Sequence, residues 1–178
     1  MPRLFSAIEI PLRIAERLTF LRFGLSGARW IDPENYHVTL RFIGDVDGAT
    51  ARDFTATLGE IVARPFELRL NGLGSFGGWK PRAIFAEVAP SEPLDILQRA
   101  NERAAREAGL PPEGRNFKPH VTLARLRGAR ADAVAAYLER QGGIVPEPFT
   151  VSRFVLYSSR ASKGGGPYIV EAAYDLED

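Results

Sequence analysis

The chain has no cysteine among its 178 residues. This absence excludes disulfide bonds, thiolate zinc sites, iron–sulfur clusters and thiol nucleophiles. Histidine is scarce too, with two residues in the whole chain. Any acid–base chemistry near neutral pH therefore depends on those two imidazoles, because histidine is the side chain that ordinarily titrates there.

A strong net charge and a long apolar segment are also absent. The 23 basic and 22 acidic residues give a net charge of +1, too weak a field to hold a long nucleic acid, so we expect any such contact at an end or a small fragment. No apolar run approaches the about 20 residues of a membrane-spanning helix, and the first residues do not resemble a signal peptide. We expect a cytoplasmic, folded globular protein that makes no membrane contact.

The two histidines open the same tetrapeptide, His-Val-Thr-Leu, at His37 and at His120. By average composition such a coincidence has a chance of roughly one in a few thousand. In a strand the side chains alternate between faces, so each histidine shares a face with the threonine two residues later, Thr39 or Thr122. Each tetrapeptide is thus predicted to present an imidazole and a hydroxyl on one face and to bury its other face.

The surroundings of the tetrapeptides repeat as well. Each is preceded by a predicted strand and helix, and each is followed by a helical pattern and then by Pro-Phe opening a further strand. His120 lies 83 residues after His37, and Pro148 lies 83 residues after Pro65. This agreement indicates an internal duplication, approximately residues 3–75 and 82–158.

The pattern predicts an α+β fold, a single bilobal domain over residues 1–178. Each lobe is expected to be a mainly antiparallel sheet with helices on its outer face, and a pseudo-twofold axis would bring His37 and His120 together across a cleft. Glycine-rich residues 72–81 and 162–167 are predicted as loops, and residues 167–176 as a closing strand. Apolar spacing predicts a helix whose inner face includes Phe54, Leu58, Ile61 and Val62, and Pro11 suits the first turn of another helix.

Other kinds of site fit the sequence less well. Metal sites usually need three or more ligands, and neither tetrapeptide has a carboxylate at ligand spacing, so no metal or other cofactor is expected. The segment Gly-Ser-Phe-Gly at residues 74–77 lacks the spacing of a hydrolase nucleophile elbow. The glycine runs match neither a phosphate-binding loop nor a dinucleotide fingerprint.

Four segments together resemble bacterial and archaeal RNA 2′,3′-cyclic phosphodiesterases, also called 2′-5′ RNA ligases (LigT-like proteins), of the 2H phosphoesterase superfamily. The resemblance runs almost end to end, although Ser6 replaces an aromatic residue often found there. The tetrapeptides alone indicate the superfamily, and their flanks favour this branch. The segments are Arg-Leu-Phe-Ser-Ala-Ile-Glu-Ile-Pro at residues 3–11, His-Val-Thr-Leu-Arg-Phe-Ile-Gly at 37–44, Pro-Phe-Glu-Leu at 65–68 and Phe-Lys-Pro-His-Val-Thr-Leu-Ala-Arg at 117–125.

The resemblance implies metal-free hydrolysis of RNA 2′,3′-cyclic phosphate ends to 2′-phosphates, and joining of such ends into 2′-5′ linkages. It implies that His120 is the proton acceptor and His37 the proton donor, roles that the symmetry of the repeat does not distinguish. Thr39, Thr122 and Arg125 would contact the phosphate. Arg125 lies five residues after His120, so a regular strand would point it away from the cleft, and only a bulge or the strand's end would turn it inward.

Groups that contact the rest of the substrate are harder to assign. Phe5, Tyr36 and Phe42 are candidates for stacking on a base, although aromatic strand residues are more often part of the core. Lys163 is a candidate contact to the RNA backbone. Two other functions stay open: an RNA-end-binding module without turnover, and an enzyme acting on a small cyclic nucleotide. We expect a monomer.

Overall fold

The computed structural model describes residues 3–141, 143, 147–159 and 166–178. Within these residues, four α-helices, a short 3-10 helix (Pro33–Asn35) and ten strands follow one another in an α+β order, as predicted. The elements are β1 (Arg3–Glu9), α1 (Leu12–Thr19), β2 (Ala28–Trp30), β3 (His37–Asp45), α2 (Gly48–Leu58), β4 (Phe66–Leu68), β5 (Leu70–Phe76), β6 (Ala83–Val88), α3 (Glu92–Glu107), β7 (His120–Leu126), α4 (Ala131–Gln141), β8 (Phe149–Val151), β9 (Arg153–Ser159) and β10 (Tyr168–Asp175).

Eight of these strands form one antiparallel sheet in the order β10-β9-β1-β3-β7-β6-β5, with β2 paired to β7. We call β10, β9, β1 and β3 lobe 1, and β7, β6, β5 and β2 lobe 2. The lobes meet where β3 and β7 run side by side, with Val38 paired to Val121. The two strands that begin with histidine are therefore central neighbours.

The two halves of the chain exchange their outer strands. From the first half, β5 pairs with β6 in lobe 2, and from the second half β9 pairs with β1 in lobe 1. The two Pro-Phe strands, β4 and β8, pair with each other in a separate two-stranded sheet. Each lobe is therefore completed by a segment of the other half.

The helices lie against the sheet face opposite the histidines. Val38 and Val121 point to that side and belong to the same hydrophobic core as the inner faces of all four helices. Two helices begin where a side chain accepts a hydrogen bond from the first turn: Asp47 from the amide of Thr50 at 2.7 Å, and Ser91 from that of Leu94 at 3.2 Å. Within the described residues, none of the helices has both the length and the apolar composition to cross a bilayer.

Three local predictions were wrong. Helix α2 stops at Leu58, so Ile61 and Val62 lie beyond it, and Val62 is 93% exposed. The helix ends at Gly59, a residue type with a poor helix propensity. Helix α1 begins at Leu12 with Pro11 as its cap, rather than in its first turn.

The third error concerns residues 72–81, of which residues 72–76 form part of strand β5 instead of a loop. Glycine in that strand has a packing cause, since a Cβ at Gly74 would lie 2.6 Å from the ring of Phe85. The predicted closing strand is confirmed as β10. Most of the second predicted loop, residues 162–165, lies outside the described residues.

Candidate active site

Seven of the nine residues predicted from the sequence lie in one cleft between the lobes. Its volume is about 230 Å³. Strands from both halves of the chain form the walls of the cleft. The predicted residues that line the cleft are Phe5, His37, Thr39, Phe42, His120, Thr122 and Arg125. The structure thus brings both repeated His–Thr faces to a single space.

The register of the two central strands explains this convergence. Since Val38 is opposite Val121 in an antiparallel pair, the residues on either side of them point to the other face of the sheet. His37 and Thr39 therefore lie on either side of Val38 in one strand, and His120 and Thr122 lie on either side of Val121 in the other. The valines anchor in the core, each with no exposed surface, and the four polar side chains face the cleft.

A bulge follows each tetrapeptide's threonine. In lobe 2 Phe85 pairs with Thr122 while its neighbour Ile84 pairs with Ala124, so Leu123 is an extra residue on β7. In lobe 1 the same shift makes Leu40 the extra residue on β3. Each bulge reverses the alternation, which turns the residue five positions after the histidine toward the cleft.

Those residues are Arg125 in lobe 2 and Phe42 in lobe 1, and both line the cleft. Of the two features that could turn Arg125 inward, a bulge and the end of the strand, the bulge is present. The repeat positions a guanidinium at one side of the cleft and an aromatic ring at the equivalent place on the other. The two His–Thr faces of the cleft are therefore alike, but the residues five positions after each histidine differ.

Both imidazoles are oriented by a backbone carbonyl two residues earlier. Nδ1 of His37 lies 2.8 Å from the carbonyl oxygen of Asn35, and Nδ1 of His120 lies 2.6 Å from that of Lys118. A carbonyl can only accept, so the proton in each neutral ring is on Nδ1. Nε2 is left free to exchange protons in the cleft, and in His37 it accepts from the hydroxyl of Thr39 at 3.1 Å.

Burial lowers the pKa of both histidines. The pKa of His37 falls to about 4: loss of hydration is the largest cause, the Asn35 carbonyl opposes it, and His120 and Arg125 add to it. The pKa of His120 is lowered mainly by burial, against its hydrogen bond to the Lys118 carbonyl, with a further contribution from the Lys118 ammonium. Burial therefore favours the neutral form of both rings in the free protein.

Aromatic rings surround each histidine. The ring of His37 contacts Phe5 at 5.0 Å and Tyr168 at 5.2 Å between centroids. The ring of His120 contacts Phe76 at 4.9 Å and Phe85 at 5.3 Å. These contacts restrict both imidazoles and account for the dehydration that lowers their pKa values.

One predicted residue lies away from the cleft, and another falls outside the described residues. Tyr36 is 2% exposed and belongs to the hydrophobic core, because it precedes His37 in an extended chain and points to the opposite face. It therefore cannot stack on a base in the cleft. Lys163 lies outside the described residues.

Sequence reasoning missed several residues that line the cleft or contact its histidines. Tyr168 comes from β10, which reaches the site only through its pairing with β9. Asn35 and Lys118 act through backbone carbonyls, which every residue type possesses, so their identity carries no signal. Phe76 had a usable signal, since it flanks the glycine-rich turn, but it was assigned to a loop.

The part of the chain that the structure describes holds no grouped set of metal ligands. There, no three His, Cys, Asp or Glu side chains are grouped as ligands of a metal ion would be. Metal-free catalysis remains a prediction.

Comparison with known proteins places the chain in a family. The sequence profile of the 2′-5′ RNA ligase superfamily matches residues 10–163. The RNA 2′,3′-cyclic phosphodiesterase of Aeropyrum pernix is 34% identical over 78% of this chain and 80% of its own length, and that of Bacillus subtilis is 30% identical over 88% and 87%. The crystal structure of Escherichia coli LigT with 3′-AMP superimposes with a TM-score of 0.78 at 26% identity, covering all of both chains. This chain belongs to the 2′-5′ RNA ligase superfamily.

Proposed function

We propose that this protein hydrolyses 2′,3′-cyclic phosphate ends of RNA to 2′-phosphates, with His37 and His120 as acid and base. The observation that carries the proposal is the cleft, which two copies of one tetrapeptide line from opposite lobes. The names of the relatives support the substrate class. The geometry supports a reaction in which one imidazole accepts a proton while the other donates one.

Proton transfer runs through the two Nε2 atoms. Nε2 of neutral His120 accepts a proton from water as the water oxygen attacks phosphorus. The bond from phosphorus to O3′ breaks, and Nε2–H of protonated His37 supplies the proton to O3′, leaving the phosphate on O2′. The assignment of acid and base follows the family resemblance.

The other polar groups of the cleft suit the phosphate. The hydroxyls of Thr39 and Thr122 and the exposed guanidinium of Arg125 face the same space as the two rings. Hydrogen bonds from fixed donors to non-bridging oxygens stabilise the charge that develops as the nucleophile adds. Arginine adds a bidentate, permanently charged donor.

The terminal nucleoside would lie on the His37 side. The ring of Phe5 packs against His37. The ring of Phe42 is stacked at 6.5 Å from the ring of Phe5, between centroids, and Phe42 is 41% exposed. An exposed ring next to a phosphate site is suited to stack on a base. Phe5 itself is 4% exposed, so we assign it to holding His37 rather than to binding the base.

The same chemistry would allow joining as well as hydrolysis. A 5′-hydroxyl can take the place of water at His120, which gives a 2′-5′ linkage. No additional energy source is needed, because the new bond from phosphorus to O5′ replaces the bond from phosphorus to O3′ in the cyclic phosphodiester. A non-catalytic RNA-end-binding module and an enzyme for small cyclic nucleotides are the remaining alternatives.

The test compares two substrates in excess chelator. The protein is incubated with a cyclic-phosphate-ended RNA oligonucleotide and with 2′,3′-cyclic mononucleotides, and the position of the product phosphate is determined. We expect turnover of the oligonucleotide to a 2′-phosphate. Binding without turnover would favour the binding module, and turnover of mononucleotides alone would favour the small-nucleotide enzyme. Activity that is lost on chelation and restored by a divalent ion would overturn the metal-free mechanism.

A further inference from the structure

The turn between β5 and β6 carries an exposed aromatic side chain. Trp79 is 93% exposed, although tryptophan is among the residues with the highest average burial. A large aromatic ring presented to solvent and flanked by polar residues is typical of an interaction site. We call residues 76–82 the hairpin tip.

The backbone holds the hairpin tip in a defined shape. The amide of Lys80 donates to the carbonyl of Gly77 at 2.9 Å, and the amide of Arg82 donates to that of Phe76 at 2.8 Å. Gly77 has φ of +107°, and a side chain there would collide with the carbonyl of Lys80. A ring on such a turn loses little conformational entropy when a ligand binds.

The hairpin tip and its neighbourhood carry positive charge. Lys80, which follows Trp79, and Arg82 are exposed residues of the hairpin tip, and the ammonium of Lys118 lies 5.1 Å from the centre of the Phe76 ring. Among the described residues none of these three cations forms an ion pair. Unpaired cations beside an aromatic ring match the phosphates and bases of a single-stranded nucleic acid.

The hairpin tip begins next to the His120 side of the candidate active site. Phe76, at its start, touches the ring of His120 with centroids 4.9 Å apart. The exposed aromatic residue suited to the terminal base, Phe42, stands beside Phe5 and His37 in the other lobe. Aromatic residues therefore lie on both sides of the cleft, with Phe42 on the His37 side and Phe76, at the start of the hairpin tip, against His120.

The direction of attack on phosphorus determines which part of the substrates lies near His120. In the proposed reaction His37 protonates the departing O3′, so the terminal nucleoside lies on the His37 side. Attacking and leaving oxygens are in line in phosphoryl transfer, which puts the nucleophile on the opposite side, at His120. The hairpin tip is thus on the side from which the nucleophile arrives.

We propose that the hairpin tip docks a second RNA strand, whose 5′-hydroxyl replaces water at His120, with Trp79 stacking on one of its bases. The 5′ oxygen bonds to phosphorus, the bond to O3′ breaks, His120 receives the hydroxyl proton and His37 gives one to O3′. The product is a 2′-5′ linkage, and the reverse reaction cleaves it. This inference rests on the proposed function.

The test measures three reactions of Trp79→Ala: hydrolysis of a 2′,3′-cyclic mononucleotide, hydrolysis of a cyclic-phosphate-ended oligonucleotide, and joining of that oligonucleotide to a 5′-hydroxyl oligonucleotide. We expect both hydrolyses to be unchanged. Joining should show a KM for the 5′-hydroxyl strand raised roughly 5- to 150-fold, the range that loss of one stacked base gives. Trp79→Phe should restore most of the affinity.

Phe20→Ala is the matched control, because Phe20 is 72% exposed and lies outside the cleft lining. It should leave all three reactions unchanged. An equal loss in joining and in oligonucleotide hydrolysis would overturn the inference, since the ring would then bind the strand that carries the cyclic end. Unchanged joining, or a native protein that neither joins nor cleaves 2′-5′ linkages, would also overturn it while leaving cyclic phosphate hydrolysis intact.

Discussion

Binding of an anion in the cleft should raise the pKa of His37. In the free protein burial lowers that pKa to about 4, with His120 and Arg125 adding to the effect. At pH 7 about one molecule in a thousand then carries a proton on His37. The proposed proton donor, however, must be protonated when the substrate is bound.

The substrate itself supplies the missing stabilisation. A phosphodiester carries one negative charge, and a unit charge about 4 Å from the imidazolium stabilises it by about 4 kcal/mol at the effective dielectric constant of a protein surface. One pKa unit corresponds to about 1.4 kcal/mol, so the pKa of His37 should rise by about three units, to about 7. Substrate binding would thereby favour protonation of His37, the proposed acid.

Imidazole NMR measures this directly. The two histidine signals are titrated with pH in the free protein and at saturating dimethyl phosphate, a monoanion over the whole range, with sodium chloride at equal ionic strength as the control. His120→Gln assigns the remaining signal to His37. A free pKa near 6.5, or a pKa that does not move on saturation, would refute the reasoning.

The lowered pKa of His37 determines how turnover and the free energy of unfolding change with pH. We expect kcat/KM, which reports the free protein, to peak below pH 6.5, and kcat, which reports the complex, to peak at higher pH, with limbs that belong to the coupled pair. An unfolded chain binds a proton at His37 near pH 6.5 and the folded one only near 4. The free energy of unfolding should therefore fall as pH drops from 6.5 to 4, by up to about 3 kcal/mol.

Three substitutions test other parts of the structure. Arg125→Met should lower kcat on a 2′,3′-cyclic nucleotide about 100-fold, the typical cost of one lost donor to a developing oxyanion, and a drop below tenfold would count against phosphate contact. Gly166→Ala should lower turnover, because φ is +96° there and a Cβ would lie 2.5 Å from the side chain of Asn35, whose carbonyl orients the nearby imidazole; an unchanged rate would contradict this. Glu102→Gln should reduce the free energy of unfolding by about 3 kcal/mol in urea titrations, since it breaks the largely buried ion pair with Arg41, and a loss below 1 kcal/mol would contradict that role.

The central face of the site was predictable from local rules. Alternation along a strand places His37 with Thr39 and His120 with Thr122, and the structure shows these four facing one cleft. The spacing of Arg125 called for a bulge or the end of the strand, and a bulge occurs at Leu123. Alternation also rejects the stacking role considered for Tyr36, since consecutive strand residues face opposite sides.

Other features depend on contacts between remote segments. The exchange of β5 and β9 between the halves sets which rings flank each histidine, and strand pairing over such distances has no local signal. The glycine-rich segment of β5 lacks the branched side chains typical of strands, because Gly74 makes room for Phe85. The internal duplication and the single-domain organisation remain predictions, as does the monomeric state.

The most direct test of the account is turnover in His37→Ala, His120→Ala and the double variant. Each single variant should fold, as judged by circular dichroism, and lose roughly 10²- to 10⁴-fold in kcat on a cyclic-phosphate-ended oligonucleotide. The double variant should be little slower than either, because the two imidazoles serve one step. A rate near that of the native protein in either folded single variant would contradict the assignment of the repeated tetrapeptide to catalysis.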